Sequence, residues 1–184
     1  VDVPGLCADA VDSSTLISAG LRHRYCAGVI SLTGDDHINL TIAITSKLLA
    51  PDLQVICRSE SHDSEANMAS FGTDHIINPY DTFAERFAMM FQSPSMYLLY
   101  EWMTSLRETP LTDFSDPPKG EWILCGYGRF GKAVQKSITF EAVRTTVIES
   151  DIEGSGAPES AVAGRGTEAI TLHEANVENA IGII

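Results

Sequence analysis

Apolar and polar positions along this chain switch between two periods. Short continuous apolar runs, the pattern of strands buried on both faces, alternate with stretches in which apolar residues recur every three or four positions, the pattern of amphipathic helices. Residues 27–32 (AGVISL) form such a run, ending at Thr33-Gly34. Asp35 and Asp36 then offer an N-cap and a first-turn acid to a helix carrying Leu40, Ile44 and Leu48 on one stripe, closed by Pro51-Asp52. Residues 53–57 predict a strand, 61–71 a helix stopped by Gly72, 75–77 a brief strand broken by Pro79, and 82–91 another helix.

Residues 94–120 interrupt this alternation. Helical spacing fits 96–107, whereas 109–119 (TPLTDFSDPPK) is turn-forming and reads as a linker. Beyond it, 121–125 (EWILC) predict a strand, followed by a glycine-rich turn, a helix over about 130–140 and a strand at 145–149. Gly154, Gly156 and Pro158 mark a flexible loop; 160–163 are strand-like, a helix is expected near 168–175, and 181–184 form a last apolar run. Strand, helix, strand is the order of an α/β protein whose parallel sheet is flanked by helices. The expected organisation is two incomplete half-domains, 1–92 and 121–184, joined by a crossover helix and linker at 93–120.

The two halves share an internal repeat. Ala8-Asp9-Ala10-Val11-Asp12 is followed by Leu16, Ala19-Gly20-Leu21 and the run 27–30. Gly164-Arg165-Gly166-Thr167-Glu168 is followed by Leu172, Ala175-Asn176-Val177 and the run 181–184. Leucine and alanine keep identical offsets in both copies, and the closing strand is displaced by a residue or two. Duplication of one strand–helix–strand unit accounts for this.

Composition narrows the partners. The 184 residues include 12 basic and 25 acidic side chains, a formal net charge of −13, and that field repels polyanions, so a nucleic-acid-wrapping protein is excluded. An apolar content of 44% is ample for a packed core. No run approaches the roughly 18 to 20 apolar residues of a membrane span. Val1 onward lacks the basic-then-apolar layout of a signal peptide, and the widely spaced Cys7, Cys26, Cys57 and Cys125 fit reduced structural thiols. A cytoplasmic location is expected.

The strongest chemical signal is Gly126-Tyr127-Gly128-Arg129-Phe130-Gly131. This G-x-G-x-x-G follows a predicted strand, opens a predicted helix, and precedes Glu149 at the end of the next β-branched run, eighteen positions after Gly131. That is the context of a dinucleotide-binding fingerprint in a Rossmann-like sheet. Gly126 suits the tight turn, Gly128 the approach of backbone to a pyrophosphate, and Gly131 close helix–strand packing. The helix start presents N–H groups to phosphates. Glu149 would accept hydrogen bonds from adenosine ribose hydroxyls and repel a 2′-phosphate, favouring NAD or an adenine nucleotide over NADP. Arg129 would pair with phosphate oxygens. The five histidines show no ligand spacing, so no metal site is expected, and no hydrolytic or phosphoryl-transfer motif is present, so no catalytic residue is assigned.

Asp9-Ala10 before Leu16 and Ala19-Gly20, Thr33-Gly34-Asp35-Asp36 with Asn39-Leu40, Ile56-Cys57-Arg58 and Asn78-Pro79-Tyr80 resemble the later half of a TrkA-N domain, the nucleotide-binding part of the regulator-of-potassium-conductance (RCK) family. Residues 121–184 resemble the opening half of a second such domain. The resemblance implies a Rossmann-like fold, assembly into dimers or larger rings, and ligand-dependent gating of a potassium channel or transporter at the inner face of a membrane. It implies binding of NAD(H) or an adenine nucleotide (AMP, ADP or ATP) through Gly126, Gly128, Arg129, Phe130, Gly131 and Glu149, with Thr33 and Asp9 contributing from the first copy. Asp9 is the position whose carboxylate lies near the adenosine in the family. Arg165 replaces it in the second copy, a reversal of charge that favours a more anionic ligand.

A membrane transport subunit and a second copy of the chain are therefore the expected partners. Met96, Tyr97, Leu99, Tyr100, Trp102 and Met103 give the crossover helix an apolar face suited to a homodimer or a higher even-numbered assembly. The alternative, an NAD-dependent oxidoreductase, requires a Lys, His or Tyr acid/base at the nicotinamide, and residues 1–92 offer no such constellation.

Overall fold

The computed structural model describes residues 4–110, 116–139 and 143–184. Residues 111–115 of the expected linker and Phe140 at the end of an expected helix lie outside the described residues. The chain divides into two compact units, Val1–Pro79 and Tyr80–Ile184.

The first unit runs α1 (Ser13–Ser18), β1 (Gly28–Ser31), α2 (Asp36–Leu49), β2 (Gln54–Arg58), α3 (His62–Ser70) and β3 (His75–Ile77). Its three strands are parallel and adjacent in sequence order, with Val29 opposite Val55 and Cys57 opposite Ile76. Ala43 of α2 and Met68 of α3 pack on Val55 and Cys57 of the central strand. Burial pushes the Cys57 thiol up to about 11, and all four cysteines are unpaired thiols.

The helix α4 (Pro79–Gln92) spans the division and packs with the second unit. There it is followed by α5 (Pro94–Thr104), β4 (Gly120–Cys125), α6 (Arg129–Ile138), β5 (Val143–Glu149), α7 (Ile152–Ser155), β6 (Val162–Ala163), α8 (Ala169–Glu174), a 3-10 turn (Val177–Asn179) and β7 (Gly182–Ile183). Four parallel strands lie in the order β6-β5-β4-β7. Alternation along the strands divides the core between two faces. Leu124 and Val147 meet Ala88 and Phe91 of α4 and Val134 and Ile138 of α6, whereas Ile123 and Ile148 meet Ala175 after α8. The protein is thus α/β, with parallel sheets and flanking helices.

The expected loop at 154–158 is partly helical instead. Asp151 caps α7 by accepting the Gly154 N–H at 2.9 Å, and Gly156, at φ +65°, ends it. The helix expected to begin at 82 begins at Pro79, whose ring fits a first turn. The internal repeat has a structural counterpart. Helices α1 and α8 are each six residues long and occupy equivalent positions in the two copies. Each is followed by a positive-φ residue at the same offset, Gly20 at 104° and Asn176 at 62°.

Candidate functional site

The glycine-rich segment occupies the carboxyl end of β4 and the start of α6. Gly126 has φ +97°, a conformation that suits glycine, and its N–H donates to the Ile148 carbonyl at 2.8 Å. A Cβ on Gly131 would collide with the Gly126 carbonyl oxygen, so the helix can approach the turn only with glycine there. A Cβ on Gly128 would meet no protein atom within 4 Å. Gly128 is the N-cap of α6 and no side chain caps that helix, leaving first-turn N–H groups to be satisfied from outside the helix.

Two clefts flank this turn. The first, about 440 Å³, is lined by Tyr80, Leu124, Cys125, Gly126, Gly128, Arg129, Phe130, Gly131 and Ile184. It lies between β4 and β7, where the strand order reverses, the position at which doubly wound sheets bind ligands. The Arg129 guanidinium sits 5.4 Å from the Tyr80 ring centroid, and Phe130 packs against Tyr80 and Phe83 at centroid distances of 6.2 and 5.0 Å. The second cleft, about 370 Å³, is lined by Cys125, Gly126, Ile148, Glu149, Ser150, Gly164, Arg165, Gly166 and Thr167. Cys125 and Gly126 belong to both, and burial raises the Cys125 thiol pKa.

Glu149 ends β5, and its carboxylate points back at the turn. One oxygen accepts the Tyr127 N–H at 2.6 Å; the other accepts the Asp151 N–H at 3.0 Å and the Ser150 hydroxyl at 3.1 Å. The amides of Asp151 and Tyr127, with smaller help from Ser150, lower its pKa to about 2. The Tyr127 hydroxyl donates to Gln135 of α6 at 2.6 Å. The turn is thus tied to β5 through its backbone and to α6 through its side chain. No sequence signal pointed to this restraint.

Of the residues expected to bind a ligand, the second unit gathers seven around the two clefts. Gly126, Gly128, Arg129, Phe130 and Gly131 line the first, and Glu149 and Arg165, with Gly126, line the second. Thr33 and Asp9 lie in the first unit. Thr33 belongs to a network centred on Asn39, which is fully buried. The Asn39 side-chain oxygen accepts the hydroxyls of Ser31 and Thr33, each at 2.8 Å, and the Thr33 N–H at 2.9 Å. Its amide donates to the carbonyls of Thr33 and Arg58, each at 3.0 Å, and the Arg58 guanidinium donates to the Thr33 carbonyl at 2.8 Å. The Asp36 carboxylate accepts the N–H groups of Glu60 at 3.0 Å and Ser61 at 3.1 Å. Asp9 accepts the N–H of Val11 at 3.0 Å in an exposed turn.

Residues 1–79 match the model of the TrkA-N domain. No curated protein matches the chain. Among solved structures, GsuK bound to ADP superposes with a TM-score of 0.66 at 17% identity, covering 97% of this chain and 40% of that one. The GsuK channel bound to NAD gives 0.65 at 16% identity, covering 97% and 43%, and the GsuK RCK domain gives 0.64 at 16%, covering 97% and 52%. The chain therefore spans about two fifths of the GsuK channel chains and about half of the RCK-domain chain. Its first unit is similar to a TrkA-N segment, and the chain as a whole has a fold like that of the GsuK RCK domain.

Proposed function

We propose that this chain is a nucleotide-sensing regulatory module that controls a potassium channel or transporter, and that NAD(H) or an adenine nucleotide binds beside the Gly126–Gly131 turn. The observation that carries this reading is the uncapped start of α6 behind a glycine turn that Glu149 holds in place. Helix N–H groups and the helix dipole favour phosphate there. GsuK, whose fold this chain shares, has solved structures bound to ADP and to NAD.

The role is regulatory rather than catalytic. A dehydrogenase would need an acid/base at the nicotinamide, and among the described residues no lysine or histidine lines either cleft. Tyr80, the tyrosine at the first cleft, lies under the Arg129 guanidinium.

The repeat organisation belongs to the same proposal: 1–92 as the later half of one domain, 93–120 as the crossover, and 121–184 as the opening half of the next. The strand order β6-β5-β4-β7 corresponds to the opening 3-2-1-4 of a Rossmann sheet. Partners in this reading are a membrane transport subunit and a second copy of the chain, with the module at the cytoplasmic face of the membrane. The face of α5 bearing Met96, Leu99, Tyr100, Trp102 and Met103 is between 40% and 72% exposed, which suits a subunit contact. Among the described residues, no helix is long and apolar enough to cross a membrane.

The test is a thermal-shift panel with NAD, NADH, AMP, ADP and ATP. Saturating ligand at a hundredfold its Kd stabilises the bound state by about 2.7 kcal/mol, a shift of several degrees. Absence of a shift with all five would overturn the nucleotide reading.

A further inference from the structure

We propose that Arg165 is a specificity-determining residue that lets the second cleft accept an adenine nucleotide bearing a ribose 2′-phosphate, offsetting the discrimination that Glu149 alone would impose. The proposal rests on the nucleotide reading above and concerns only which ribose the cleft admits.

The stereochemistry of the fingerprint places the phosphates at the start of α6 and the adjoining ribose at the end of β5, beside Glu149. An acid there selects a free 2′-hydroxyl because it accepts from the ribose and repels an anion. In this protein that carboxylate is already engaged by the N–H groups of Tyr127 and Asp151 and the hydroxyl of Ser150. Three donors leave a carboxylate little acceptor capacity for a ribose diol. Its first duty is to hold the glycine turn.

The neighbouring strand supplies the opposite charge. Ala163, at the end of β6, is the register partner of Glu149, and the next residue, Gly164, donates its N–H to the Glu149 carbonyl at 3.1 Å. Arg165 therefore stands two residues beyond the point where the strands meet, on the rim of the cleft that Glu149 lines. Its loop is closely packed: a Cβ on Gly166 would come within 2.5 Å of the Cys125 sulfur, and the Arg165 carbonyl accepts the Glu168 N–H at 3.0 Å. Among the described residues the Arg165 guanidinium pairs with no carboxylate. It brings five donors in a fork that matches phosphate oxygens, and Thr167 adds a hydroxyl on the same wall. A guanidinium beside the ribose is the feature by which dinucleotide folds admit a 2′-phosphate. The equivalent position in the first copy is Asp9, so the two copies carry opposite charge here.

The test is calorimetric titration of the full 184-residue chain and its Arg165→Ala variant with NAD, NADP, ADP and adenosine 2′,5′-bisphosphate. Arg165 is exposed, so its truncation leaves the fold in place, and circular dichroism checks this. The expected result is that the ratio of the NADP Kd to the NAD Kd rises fivefold or more in Arg165→Ala, with the same trend for the bisphosphate against ADP. A smaller change in that ratio, with NAD or ADP still binding, overturns the assignment of Arg165 and leaves the nucleotide site standing. If none of the four ligands binds either protein, the site itself fails and the assignment falls with it.

Discussion

At the carboxyl end of β1 the chain closes its own helix start. Asp35 caps α2 by accepting the N–H groups of His37 at 2.8 Å and Ile38 at 3.3 Å, and Asn39 fills the turn with side-chain hydrogen bonds. At the carboxyl end of β4 the equivalent place is a glycine turn, and α6 starts without a side-chain cap. Both places lie at the carboxyl end of a parallel strand, but only β4 adjoins a reversal of strand order. One is internally satisfied by acids and an amide, and the other leaves N–H groups to be satisfied from outside. A closed end holds neighbouring strands together; an open end leaves its donors to an outside acceptor, the feature on which the proposed nucleotide site rests.

That contrast can be broken on either side. The largest effect is expected from Asn39→Ala. It removes a fully buried side chain serving Ser31, Thr33 and Arg58, and should cost about 4 kcal/mol by denaturant unfolding because several polar groups are orphaned together. Gly131→Ala comes next, at about 3 kcal/mol, since the new methyl group meets the Gly126 carbonyl and the helix must shift off the turn. Gly128→Ala sharpens the comparison differently. The added Cβ meets no protein atom within 4 Å, so the melting temperature should hold while nucleotide affinity falls by roughly 1 to 3 kcal/mol. An unaltered Kd by calorimetry would show that phosphate does not approach this turn.

The smallest effect concerns pH. Glu149 titrates near 2 in the folded protein against about 4.3 in an unfolded chain. Its folded value is depressed, so its contribution to stability is fully present above about 4.3 and is lost as pH falls through about 2. Glu149→Gln should flatten the stability profile between those two values relative to wild type. Parallel profiles for the two proteins would mean that the carboxylate does not restrain the turn.

Several elements are legible in the residues themselves because their causes are local. Asp35 as the cap of α2, the strand at 75–77 and the glycine turn between β4 and α6 each depend on a side chain acting within a few positions of itself. The helix expected near 168–175 is α8, and the repeated Leu and Ala offsets relate α1 to it. The short helix α7 was masked by glycines at 154 and 156, although Asp151 caps it and Gly156 ends it. Five of the expected ligand residues lie together because the G-x-G-x-x-G fingerprint is itself a local motif, whereas Glu149 and Arg165 reach the second cleft only through the pairing of β5 with β4 and β6.

What the sequence by itself determined is the alternation of strand and helix, the acidic balance, the repeat and the position of the glycine turn. Periodicity, capping and composition act over a few residues and need no knowledge of neighbours in space. The tertiary structure alone decided where hydrogen bonds cross between elements. Asn39 meets the Arg58 carbonyl nineteen positions away, and the Glu149 carboxylate meets the Tyr127 amide twenty-two positions away. It also decided that α4 joins the core of the second unit, through Ala84, Ala88 and Phe91. A carboxylate at a strand end has several donors within reach, and only the packing of the adjacent strand and turn selects among them.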